Sequence, residues 1–171
     1  MQAREDIQSL EKRARRIKLF AMDVDGVLTD AGMYYSENGD ELKKFNTRDG
    51  MGIKLLQDAG IVTAIITREE IGLVKRRAQK LDIKEVHLKA IDKLKVLEEI
   101  LKRYGFKMEE TAYIGDDIID LPVLKAVGLA ITVADGMKAN KEVSHIITEK
   151  KGGEGAVREI ADWILEVKQK K

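Results

Sequence analysis

The sequence predicts an α/β fold, a parallel sheet flanked by helices. Three observations lead there. Short apolar runs rich in β-branched residues, "IVTAIIT" being the plainest, recur along the chain. Stretches of helical periodicity separate them, an alternation that builds right-handed βαβ units and a parallel sheet. Polar residues gather directly after the apolar runs, where the carboxyl ends of parallel strands place ligand crevices.

Each element has a local reason. Ile7, Leu10 and Ala14 recur among charges, which fits an amphipathic helix over residues 4–16. "IKLFAMD" reads as a buried strand ending at Asp23. "GMYYSENGDELKKF" holds two alternating runs around Asn38-Gly39, the signal of a hairpin insertion spanning about residues 31–47. "DGMGIKLLQDAG" reads as a helix stopped by Gly60, and "IVTAIIT" as the strand after it. Residues 69–80 read as helix and "EVHLK" as a short strand. Asp92 is placed to cap a helix from Lys93 to Tyr104, with Gly105 as its stop. "TAYIG" is a strand, followed by a helix across residues 117–127, and "GLAITV" and "HIIT" are two further strands. Residues 154–168 form a last helix with Val157, Ile160, Ala161, Ile164 and Leu165 on one face.

The chain has 171 residues, the size of one domain with one core. Its 31 basic and 30 acidic residues leave a net charge of +1, so no global field points to nucleic acid or a membrane surface. Charged residues reach 36%, above the roughly 25% of ordinary soluble domains, and their mixed signs read as a solvated surface. There is no cysteine, which removes disulfides, thiol catalysis and cysteine-based zinc sites. His87 and His145 are too few for a histidine-rich metal site. No apolar run approaches the roughly 20 residues of a membrane span, and the first residues lack a signal-peptide core, so a cytoplasmic protein is expected.

The strand ends carry the chemistry. Asp23 and Asp25 follow the first buried strand, Thr67 and Arg68 the second, and Asp116, Asp117 and Asp120 the run "TAYIG", while Lys93 opens a helix between them. Taken singly, each residue has a plain structural role as a cap, a turn residue or a solvated charge. Their joint, ordered occurrence at strand ends suits a hard cation beside a phosphate, because magnesium takes one or two carboxylates together with phosphate oxygens and water. On that reading Asp23 attacks phosphorus to form an aspartyl-phosphate. Asp25 protonates the leaving oxygen and then takes a proton from water. Gly26 leaves its amide open to the phosphate, Thr67 donates to it, and Lys93 offsets the negative charge. A magnesium ion relieves the repulsion between Asp23 and Asp116.

"DVDGVLTD", "IIT" with Thr67, Lys93 and "GDDIID" together resemble the four ordered motifs of the haloacid dehalogenase (HAD) superfamily of phosphohydrolases. The resemblance implies a Rossmann-like core, Asp23 as nucleophile and Asp25 as general acid/base. It implies Thr67 and Lys93 as phosphate ligands, and magnesium held by Asp23, the carbonyl of Asp25 and Asp116. Asp117 and Asp120 are then supporting acids. "FNTRDGMGIKLLQDAGI" and "KGGEGAVREIADWIL" resemble the small branch of that superfamily that dephosphorylates 3-deoxy-D-manno-octulosonate 8-phosphate (KDO 8-phosphate) in lipopolysaccharide synthesis. That branch implies no cap domain, in keeping with the hairpin-sized space between Asp30 and Asp49. It implies a homotetramer in which hairpins pack together and a neighbour's C-terminal tail, here "KKGGEGAVRE", closes the site, with Gly152, Gly153 and Gly155 lending it flexibility. The substrate's carboxylate asks for a guanidinium fork, for which Arg48, Arg68 and Arg158 are the candidates, Arg48 and Arg158 first because they sit inside the two branch-specific stretches.

Two alternatives share these motifs in whole or part. One is a phosphatase of a related nine-carbon sugar acid 9-phosphate. The other is a phosphorylatable signalling receiver, whose acidic pair would be adjacent rather than spaced as in Asp23-Val24-Asp25. No GxxxxGK[ST] sequence occurs, so a P-loop nucleotide enzyme is not expected.

Overall fold

The computed structural model describes residues 1–37 and 41–170. The expected Asn38-Gly39 turn lies outside the described residues. Chain order gives β1 (Gln2–Ala3), α1 (Ile7–Arg16), β2 (Leu19–Met22), β3 (Tyr34–Tyr35), β4 (Glu41–Leu42), α2 (Thr47–Asp58), β5 (Val62–Ile66), α3 (Gly72–Lys80) and β6 (Glu85–His87). It continues through α4 (Lys93–Tyr104), β7 (Thr111–Ile114), a 3₁₀ turn (Ile118–Asp120), α5 (Leu121–Ala126), β8 (Leu129–Thr132), α6 (Lys138–Val143), β9 (Ile146–Ile147) and α7 (Ala156–Gln169).

Seven strands form one sheet in the order β1-β9-β8-β7-β2-β5-β6. Only the β1–β9 pairing is antiparallel. The sheet separates two apolar layers. Phe20 and Met22 of β2 face a core with α1, α2, α3 and α7, and Leu19 and Ala21 face one with α4 and α5. Every residue of β2 is buried, as a strand covered by helices on both faces requires.

The chain winds outward from β2 through β5 to β6, then crosses back to β7 on the other side. That reversal makes β2 the switch point, where open parallel sheets hold their ligands. Met22 pairs in register with Ile65 and with Ile114. Three adjacent strands therefore end at one level and deliver Asp23, Thr67 and Asp116 to one crevice. Between β2 and α2 the described insertion is the antiparallel β3–β4 hairpin alone, with Tyr34 opposite Leu42. No helix among the described residues is long and apolar enough to cross a membrane.

Several boundaries move from their sequence expectation. The α2 helix starts earlier, at Thr47, because the Asn46 side chain caps it by accepting from the Arg48 amide. The α3 helix starts at Gly72 rather than 69. The Glu69 amide donates to Thr67 Oγ1 and its carbonyl accepts from the Lys89 amide, which commits this stretch to a loop. The expected helix over 117–127 is a 3₁₀ turn followed by the short α5, with Pro122 in its first turn, where no amide hydrogen is required. The β1 and α6 elements were not foreseen, being too short to show a period.

The glycine-rich C-terminal segment is also corrected. It is not a flexible tail. Gly152 and Gly153 are buried, and the Gly153 amide donates to the Val27 carbonyl. A Cβ on Gly152 would lie 1.8 Å from the Gly26 carbonyl oxygen. Glycine is required there for close packing of two loops of the same chain, after which α7 enters the core.

Candidate active site

The centre of the site is a buried acidic cluster held by one lysine. Asp92 caps α4 by accepting from the Lys95 amide, and the first helical residue, Lys93, turns inward with its side chain 1% exposed. Its ammonium lies 2.8 Å from Asp23 Oδ2 and 2.7 Å from Asp120 Oδ1. A lysine is buried this deeply only where its charge is met. Asp120 Oδ1 also accepts from the Tyr113 hydroxyl at 2.6 Å, and Oδ2 from the Asp116 and Asp117 amides at 3.0 and 3.3 Å. Four donors thus converge on one carboxylate. Asp120 anchors the loop after β7 and orients Lys93.

The same loop is pinned from behind by α6, whose buried Asn140 donates to the Asp117 carbonyl at 2.7 Å. Asp116 faces the crevice across Gly26. A Cβ on Gly26 would stand 2.0 Å from Asp116 Oδ2, and Gly26 also adopts φ +77°, so both space and backbone select glycine there. Asp116 Oδ1 is buried with no hydrogen-bond partner among the described residues. Asp23, Asp116 and Asp120 offer oxygens that lie within 4.8 Å of one another. Burial, and then the Asp120 charge, push Asp23 up to about 7. Burial and the charges of Asp23, Asp120 and Asp117 push Asp116 up to about 8. A hard donor set, mutual repulsion and an orphaned carboxylate oxygen fit a divalent cation of the magnesium kind.

The remaining candidates divide by place. Asp25, Thr67, Arg68 and Asp117 line a crevice of about 240 Å³ together with Asp23 and Asp116. Thr67 is buried, and its hydroxyl oxygen accepts from the Glu69 amide, so its hydrogen is free to donate outward. Asp25 Oδ1 accepts from Lys43 Nζ at 2.6 Å and from Thr29 Oγ1 at 3.3 Å. Asp117 is exposed and caps the 3₁₀ turn through the Ile118 amide. Arg68 is exposed at the crevice, and Arg48 is exposed in the first turn of α2. Arg158 Nε is paired with Asp162 one turn along α7, at 2.7 and 2.8 Å to its two oxygens. Neither Arg48 nor Arg158 lines the crevice.

Sequence reading missed Lys43, Tyr113 and Asp49. Buried Asp49 accepts from the Gly155 and Arg158 amides and so joins the start of α2 to the start of α7. Burial pushes its pKa up. The β-strand pattern of "TAYIG" hides Tyr113, whose hydroxyl donates to Asp120, and Lys43 reads as one of many surface lysines. Only the run "ELKKF" at the hairpin's return hinted that a cation comes back toward Asp25.

Fold and site together define a hydrolase class, and the chain belongs to the haloacid dehalogenase-like hydrolases, whose family model matches residues 68–160. Among its relatives is the 3-deoxy-D-manno-octulosonate 8-phosphate phosphatase KdsC of Yersinia pestis, 44% identical over 154 residues, which cover 90% of this chain and 82% of that one. The KdsC of Haemophilus influenzae is 39% identical over 162 residues, 94% of this chain and 89% of that one. The crystal structure of the Moraxella catarrhalis 3-deoxy-D-manno-octulosonate 8-phosphate phosphatase, in complex with a magnesium ion, a phosphate ion and KDO, superposes with a TM-score of 0.93 at 41% identity. That match covers 95% of this chain and 93% of that one.

Proposed function

We propose that this chain is a magnesium-dependent phosphatase that releases inorganic phosphate from KDO 8-phosphate through an aspartyl-phosphate on Asp23. The observation that carries the reading is the convergence of Asp23, Asp25, Thr67 and Asp116 on one crevice, backed by buried Lys93. Relatives of about 40% identity along nearly the whole chain support the substrate.

Lys93 holds one oxygen of Asp23 and leaves the other to attack phosphorus. Asp23, Asp116 and the carbonyl of Asp25 would hold the magnesium, which would supply charge neutralisation of the phosphoryl group. Thr67 and the Gly26 amide donate to the phosphoryl oxygens. Asp25 gives its proton to the departing sugar oxygen, then takes one from the water that opens the aspartyl-phosphate. Lys93 also lowers the repulsion felt by an incoming phosphate, and Asp120 and Tyr113 hold it in place. Asp117 supports the loop. Among the arginines, Arg68 at the crevice is the first candidate for the sugar-acid carboxylate, ahead of Arg48 and Arg158.

A homotetramer with packed hairpins goes with this reading. Tyr34 is 56% and Leu42 65% exposed, and clustered exposed apolar side chains of this kind mark interaction surfaces. Light scattering tests it, and a monomer at micromolar concentration removes it. A cytoplasmic enzyme goes with this reading, because its substrate is a charged metabolite, and KDO as product goes with lipopolysaccharide synthesis.

The test is phosphate release with magnesium from KDO 8-phosphate, a nine-carbon sugar acid 9-phosphate, simple hexose phosphates and p-nitrophenyl phosphate. Preference for KDO 8-phosphate supports the reading. Preference for the nine-carbon acid replaces the substrate, and similar low rates on all keep only the phosphatase.

A further inference from the structure

Lys43 follows directly on β4, at the returning end of the hairpin, yet its side chain is 1% exposed. A lysine on an insertion ordinarily reaches into water. This one turns down to Asp25, 2.6 Å from Oδ1. Thr29 Oγ1 approaches the same oxygen at 3.3 Å. Thr29 is itself bridged to Phe45, two residues after Lys43, so both donors sit on one small antiparallel junction at the base of the hairpin. Asp25 Oδ2 accepts no hydrogen bond among the described residues, and Asp25 lines the crevice. The carboxylate is therefore clamped by one edge and presented by the other.

We propose that Lys43 is a positioning residue for Asp25, and that seating the hairpin fixes the acid/base in its working orientation. This rests on the reading of Asp25 as the general acid/base of a phosphatase. In the first step a carboxylate oxygen of Asp23 bonds to phosphorus as the bond from phosphorus to the departing oxygen breaks, and the Asp25 proton passes to that oxygen to give the alcohol. In the second, Asp25 takes a proton from water as the water oxygen bonds to phosphorus and the Asp23–phosphorus bond breaks, freeing phosphate. Misorienting Asp25 harms the first step in proportion to how badly the departing oxygen needs the proton. An alkyl oxygen, as in a sugar phosphate, needs it. A nitrophenolate leaves without it.

The test is kcat/KM, which reports the steps through phosphoenzyme formation, for wild type, Lys43→Met and Lys43→Arg on KDO 8-phosphate and on p-nitrophenyl phosphate. Lys43→Met lowers kcat/KM on the sugar phosphate by about tenfold or more and on the aryl phosphate by less than about threefold, and Lys43→Arg recovers most of the difference. Equal losses on both substrates show a merely structural lysine and overturn the proposal, as does no loss on either. If Lys43→Met lacks a cooperative melt, Lys43→Gln is read by the same ratio: a shift toward the aryl substrate supports the proposal, and an unchanged ratio overturns it. Failure of the functional reading is separately visible. A wild type inactive on KDO 8-phosphate withdraws that substrate, and the ratio is then taken with the sugar phosphate it does hydrolyse. A wild type inactive on every ester sinks both.

Discussion

The Lys93 ammonium lies 2.8 Å from Asp23 Oδ2, with both side chains almost wholly withdrawn from water. The candidate nucleophile is thus held by a cation that a second buried acid, Asp120, holds in turn at 2.7 Å. Removing Lys93 strands two carboxylates without their common partner. Lys93→Met is expected to destabilise the fold by about 3–5 kcal/mol in the absence of magnesium, the range for breaking a buried ion pair. Denaturant unfolding measures it, and a loss under 1 kcal/mol, the scale of an exposed pair, would contradict the arrangement.

Asp23→Asn is expected to abolish turnover while the protein stays folded. An amide is no nucleophile toward phosphorus, but it removes one charge from a crowded acidic cluster. Phosphate release falls to background and the melting temperature without magnesium stays level or rises. Retained turnover would remove Asp23 from the mechanism.

The acidic cluster sets a pH dependence. Asp23 and Asp116 stand at about 7 and about 8 in the fold, against an ordinary 3.8. The folded chain therefore holds these protons more tightly than the unfolded chain. Their contribution to stability is fully present below the ordinary carboxylate pKa and is lost as pH rises through about 7 to 8. Without magnesium, the melting temperature should fall between about pH 5 and about pH 8, and Asp116→Asn should flatten the fall. Added magnesium should raise the melting temperature more at the higher pH, because the cation binds the ionised form. A magnesium shift independent of pH would disconnect the metal from these acids.

Tyr113→Phe removes one of the two donors to Asp120 Oδ1 without changing the side chain's shape. The expected loss is about 1–3 kcal/mol of stability, together with lower kcat, since Asp120 orients Lys93 and the Asp116 loop. Calorimetry and initial rates check both parts. Full activity with lost stability would confine Tyr113 to the fold.

The arginines separate by place. Arg68→Ala should lower kcat/KM on the sugar acid phosphate by about tenfold or more and leave p-nitrophenyl phosphate nearly unaffected, as for a lost charge-assisted hydrogen bond. Arg158→Ala breaks a half-exposed pair with Asp162 and should change neither by more than about twofold. The reverse pattern would move carboxylate recognition from the crevice to α7.

Much of this molecule was determined by the sequence. Apolar runs such as "LFAM" and "VTAII" are buried on both faces and had to become inner strands, and Asp92 and Gly105 bound α4 as their capping chemistry demands. That Asp23, Asp25, Thr67 and Asp116 gather at one crevice, with Lys93 behind them, was legible because a parallel sheet brings strand ends to one edge. Tertiary structure alone decided which charge answers which. Asp120 became a fourfold-bonded anchor because the chain after β7 folds back as a tight turn, not the expected longer helix. Lys43 reached Asp25 because the hairpin returns at the mouth of β2. The glycines at 152 and 153, expected to be flexible, are instead buried where two loops of one chain touch. Local pattern reports which residues are buried and what backbone they favour. It carries no record of the close approaches between distant segments, and those approaches set the charges, orientations and packing of the site.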